Sequence, residues 1–144
     1  MTRPRDFQRS RVYSCENGFK TNRIPNEELA TVQAYVDAVT SSKWWRRMGG
    51  QPYVRVYDGR GRRRASAYCA TNSIKMPRWS RYEGCVLHEL AHLLVPTDVP
   101  SHGREFTATF LVLVRHCMGQ EAYRDLRDRF RQGGVKMGTM PKPA

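Results

Sequence analysis

The stretch from Ser80 to Pro96 constrains the fold more than any other. Val86, Leu87, Leu90 and Leu94 recur at three- and four-residue steps, the spacing of one buried helix face. Ser80-Arg81-Tyr82-Glu83 has the form of a capping box, with Ser80 at the N-cap and Glu83 three residues on. The pattern predicts a helix from there to about Val95, stopped by Pro96. After a short turn to Pro100, a second helix is expected over roughly Gly103 to Met118, with Phe106, Phe110, Leu113, Val114 and Cys117 facing inward. Gly119 breaks it, and a last helix, about Gln120 to Phe130, buries Ala122, Tyr123, Leu126 and Phe130.

Upstream, the period changes. Arg11-Val12-Tyr13 reads as a short strand, and Asn22 to Pro25 as a break. Asn26 can cap a helix to about Thr40, whose apolar face is Leu29, Val32, Val36 and Val39. Trp44-Trp45 follows, closed by Gly49-Gly50; paired tryptophans can stack on bases, but packing is the commoner role. Tyr53 to Tyr57 alternates as a strand does. Asp58-Gly59-Arg60-Gly61 is a turn signal, with Ala65 to Ala70 as a return strand and Ser73 to Met76 as a third. The expectation is one α+β domain over 1–144: an N-terminal helix, a sheet of three or four strands, a helix pair and a C-terminal helix. Residues 1–10 and 133–144 are expected to be flexible.

The chain has 144 residues and a formal charge of +12. That imbalance points to an acidic partner, of which nucleic acid is the commonest. No stretch approaches the roughly 20 apolar residues that span a bilayer, and the basic N-terminus has no apolar run behind it. A membrane is therefore not expected as a partner, and the expected compartment is the cytoplasm. None of Cys15, Cys69, Cys85 and Cys117 forms a Cys-x-x-Cys pair. Zinc ribbons and dithiol redox motifs are thereby disfavoured, and free thiols are expected.

The chemistry is concentrated in His88-Glu89-Leu90-Ala91-His92. Histidines four apart on a helix share one face, one turn apart, and both can reach one metal ion. Neutral imidazole binds Zn2+ at ~2.0–2.1 Å. Glu89 is displaced around the helix and can reach a water on the metal without binding the metal. Zinc lowers the pKa of such a water toward ~7. Glu89 would then accept its proton during attack on a carbonyl and pass it to the leaving amine.

A catalytic zinc usually has a third protein ligand and one open position. His102, ten residues after His92 and at the mouth of the next helix, is the preferred candidate. Asp98 and Glu121, the latter with Asp125 one turn on, stay open as replacements. Cys85 is read as packing, because it lies about 10 Å along the axis from His92 at ~1.5 Å per residue. His116 is read as a surface or core histidine. A second hydrogen-bond donor to the oxyanion is sought among Tyr68, Tyr82 and Tyr123, with nothing to rank them.

Val86-Leu87-His88-Glu89-Leu90-Ala91-His92, followed by His102-Gly103-Arg104-Glu105-Phe106, resembles the SprT-like zinc metalloproteases. Among them it is similar to a group of small metallohydrolases of bacteria and phages, whose opening is like Asp6 to Tyr13 here. The resemblance covers about residues 74–118. It implies a zincin-like fold, His88, His92 and His102 as metal ligands, Glu89 as general base, and Phe106 as the anchor of the second helix. Arg104 stands where the family often has proline, and the downstream four-cysteine module of some members is lacking. The family's best-known members digest proteins crosslinked to DNA, so the implied partner is a protein or peptide, with nucleic acid engaged through the basic surface. Ser73 to Met76 is the strand expected to pair with an extended substrate.

Overall fold

The computed structural model describes residues 4–17, 19, 24, 28–61 and 63–139. Among them the chain is mixed α+β, with six α-helices and one three-stranded sheet. None of the described helices is long and apolar enough to cross a membrane. Two compact units divide the chain: residues up to 20 join residues 95–140, and residues 21–94 make up the body of the other.

The first unit is helical. Helix α1 (Arg9–Asn17) packs on the C-terminal helix where a short strand was expected. Its inward positions are Val12 and the half-buried Cys15, in line with the buried Gln8 just before the helix, a four- then three-residue step in which only valine is plainly apolar. The Cys15 thiol donates to the Arg129 carbonyl at 3.2 Å. A helix this short draws its stability from packing rather than from propensity. The long helices of this unit are α5 (Arg104–Met118) and α6 (Gln120–Gln132), close to their expected bounds. Phe106, Phe110, Leu113, Val114, Leu126 and Phe130 are fully buried. Phe110 stacks tilted against Phe106 at 5.6 Å and against Phe130 at 6.4 Å. Gly119 alone joins the helices at φ +99°, a backbone that side-chain-bearing residues rarely adopt.

The second unit begins with α2 (Leu29–Thr40), which buries Val32, Val36 and Val39 as its spacing requires. The expected cap, Asn26, lies outside the described residues. Helix α3 (Lys43–Arg47) is capped by Ser42, whose hydroxyl accepts from the Trp45 amide. Trp45 is fully buried and donates its indole N–H to the Gln51 carbonyl at 2.9 Å, so it serves the core rather than stacking on bases.

The strands are β1 (Arg55–Asp58), β2 (Ser66–Tyr68) and β3 (Ser73–Met76), in the order β1-β3-β2. Asp58 to Gly61 therefore does not close a hairpin between β1 and β2. Instead β3 pairs with β1 in parallel and with β2 antiparallel. β3 lies in the centre with both edges used, which corrects its expected role as an edge for substrate. The buried Ser73, Ile74 and Met76 explain this place: a strand covered on both sides reads as a continuous run. The outer edge of β1 is met by the Gln33 amide, which donates to the Val54 carbonyl and accepts from the Val56 amide, both at 2.8 Å.

Helix α4 (Glu83–His92) packs on β2 and β3. Its start is a correction. Tyr82, not Ser80, is at the N-cap. Ser80 ends a 3-10 turn (Arg78–Ser80) and donates to the Pro77 carbonyl at 2.7 Å. Glu83 still sits in the first turn, where a carboxylate favours the helix dipole, and it accepts from the Tyr35 hydroxyl at 2.6 Å. The regular helix ends at His92, short of Val95, and Leu93 and Leu94 continue in tightened three-residue turns.

Candidate metal centre

Helix α4 buries most of its length, and with it His88 and Glu89, which are 2% and 5% exposed. His92 is half-buried. The one-turn spacing brings the two imidazoles together, with Nε2 of His88 and Nε2 of His92 3.2 Å apart. Two ligand nitrogens at ~2.0–2.1 Å from one tetrahedral zinc are about 3.3–3.4 Å apart, so the pair is set almost at chelating distance. Nitrogen lone pairs converging at that range repel unless a proton or a cation lies between them. Oε2 of Glu89 is 3.9 Å from Nε2 of His88, beside the chelating pair.

His102 is buried, at 5% exposure, just before α5. Its ring is held on three sides within its own unit. Phe106 meets it edge-on at 5.0 Å, and Tyr13 is tilted against it at 5.3 Å. The Asp6 carboxylate lies 2.6 Å from Nδ1. A carboxylate only accepts, so Nδ1 carries the proton and Nε2 keeps the lone pair needed for a metal. The backbone is fixed too, because the Gln8 amide donates to the His102 carbonyl at 2.9 Å. Gln8 also accepts from the Lys136 amide at 2.6 Å.

Ligand atoms of His88, His92 and His102 all lie within 4.8 Å of one another, and among the described residues they form the group able to hold a metal ion. Three imidazoles are the donor set of a borderline-soft divalent cation such as zinc. Asp98 and Glu121 are exposed and stand outside that group. Asp125, the partner considered for Glu121, accepts instead from Arg129 at 3.1 Å. Cys85 is outside the group as well, and His116 is exposed. Of the tyrosines weighed for the oxyanion, Tyr68 engages Ser66 and Lys75, while Tyr123 lies against the guanidinium groups of Arg115 and Arg127. Those contacts assign neither Tyr68 nor Tyr123 to the site.

Asp6 and Gln8 were not singled out as site residues from the sequence. Their one signal was position in the opening segment Asp6 to Tyr13, which the metallohydrolase resemblance includes. No protein-family model matches the chain, and comparison with curated proteins and with solved structures gives no match.

Proposed function

We propose that this chain is a zinc-dependent metallohydrolase, a SprT-like metallopeptidase of zincin-like fold that cleaves amide bonds. The observation that carries the proposal is the convergence of three histidine ligand atoms within 4.8 Å, with a buried glutamate next to the first of them. His88, His92 and His102 would hold the ion. Zinc in such a set supplies Lewis acidity and a water of lowered pKa.

Everything else is done by this chain's side chains. Glu89, whose carboxylate lies 3.9 Å from Nε2 of His88, accepts the proton of the attacking water and returns it to the leaving amine. Its burial keeps the exchange out of bulk solvent and makes the carboxylate's field felt more strongly. Asp6 holds the His102 ring and raises its basicity through Nδ1. A purely structural zinc would call for a fourth protein ligand. Among the described residues, none of Cys85, Asp98 and Glu121 belongs to the group.

An extended substrate needs a sheet edge. β3 is paired on both sides and β1 is met by Gln33, so β2, which packs beside α4, is the strand for this role. The +12 charge favours substrates that are themselves bound to nucleic acid. The test is zinc-dependent cleavage of DNA-binding proteins, with and without DNA, by the parent and by Glu89→Gln. Cleavage by the parent that Glu89→Gln loses supports the proposal. Equal cleavage by both would remove Glu89 from the mechanism.

A further inference from the structure

A pocket of about 360 Å³ opens in the helical unit, at the N-terminus of α5. Its lining carries Arg5, Arg11, Arg104 and Lys136 against a single carboxylate, Glu105. All four cations are exposed, and among the described residues none of them forms an ion pair. Like charges converge on one cavity only at an electrostatic cost, which a bound anion removes. The first turn of α5 adds its own positive end, since Gly103 caps it without a side-chain hydrogen bond.

The same pocket holds Phe7, which is 75% exposed, with the Arg5 guanidinium 4.9 Å from its ring centroid. An exposed aromatic ring gains nothing from inorganic phosphate. It does gain from a base, because single-stranded nucleic acids are held by cationic grooves interleaved with aromatic stacking platforms. We propose that this pocket binds single-stranded nucleic acid, with Arg11, Arg104 and Lys136 on backbone phosphates and Phe7 stacked on a base.

The two kinds of contact separate in one experiment. Affinity of the full zinc-loaded chain for a labelled single-stranded oligonucleotide is measured by anisotropy as a function of salt. The double variant Arg11→Ala/Arg104→Ala lowers the log–log salt slope by about 1.4, at ~0.7 per phosphate, and weakens binding on the order of 10- to 30-fold at ~0.1 M salt. Arg11→Lys/Arg104→Lys restores both values. Phe7→Ala weakens binding on the order of five- to a hundredfold and leaves the slope unchanged. Arg46→Ala/Arg47→Ala, an exposed pair on α3, removes the same charge and leaves the slope unchanged. Equal losses from the pocket pair and the α3 pair would mean diffuse surface attraction, and would overturn the site. So would an oligonucleotide affinity indifferent to the pocket pair while inorganic phosphate, at matched ionic strength, binds the parent and not the variant.

Discussion

Asp6 and His102, 96 positions apart, meet at 2.6 Å, carboxylate oxygen to ring Nδ1. The contact decides which nitrogen of His102 keeps a lone pair, and it aims the ring while Gln8 fixes the backbone behind it. A histidine ligand supported in this way typically loses 10–100-fold in metal affinity when the support is removed. Asp6→Ala is therefore expected to weaken zinc binding by about that factor in a chelator competition, with Asp6→Asn in between. Zinc retention equal to the parent's would reduce the contact to local packing.

Glu89 is adjacent in sequence to a proposed ligand and is proposed for a different task, that of general base. Glu89→Gln keeps the shape and removes the base. Zinc content by mass spectrometry should stay at the parent's value, while hydrolysis falls by ~10²–10⁴-fold. Loss of zinc in this variant would make Glu89 a ligand or a structural support instead.

The helical half of the molecule was legible because apolar side chains at helical spacing carry their own evidence. α2, α5 and α6 fall close to their expected bounds for that reason. α1 was not legible: its inward side runs from Gln8, just before the helix, to the half-buried Cys15, and these polar side chains turn inward because Lys136 in the C-terminal segment and Arg129 in α6 meet them. Strand positions were recognisable, but strand order was not, since β1-β3-β2 depends on a parallel pairing that no turn signal encodes. The Ser80 cap failed because Ser80 closes a 3-10 turn, and Arg81 and Tyr82 stand between it and the first turn of α4. In the metal group, His88 and His92 followed from helix geometry alone. His102 depended on how the turn from Pro96 to Pro100 runs, and Asp6 on the tertiary fold.

The packing of Trp45 gives a test of the second unit that is independent of metal. A Cβ on Gly50 would lie 2.2 Å from the Trp45 indole atoms Cε2 and Nε1, and the indole has no room to retreat because it is fully buried. Gly50→Ala should cost about 1–3 kcal/mol by overpacking, seen as a lower denaturation midpoint in urea with an unchanged slope. An unaltered midpoint would show that the loop after α3 yields freely.

The thiols should differ in reactivity. Burial pushes the Cys15 thiol above its ordinary pKa, Glu16 pushes it further, and Arg129 opposes them. Cys69 is exposed. A raised pKa leaves less thiolate at a given pH, so iodoacetamide at about pH 8 should modify Cys69 before Cys15, and the Cys15 rate should keep climbing at higher pH. Equal rates at the two sites would contradict the burial seen for Cys15.

Equilibrium zinc affinity across a set of single alanine variants goes to the centre of the account. His88→Ala, His92→Ala and His102→Ala should each bind zinc far more weakly than the parent, which should hold one ion per chain, while Asp98→Ala and Glu121→Ala should match the parent. A His102→Ala protein that holds its zinc as tightly as the parent would contradict the three-histidine centre.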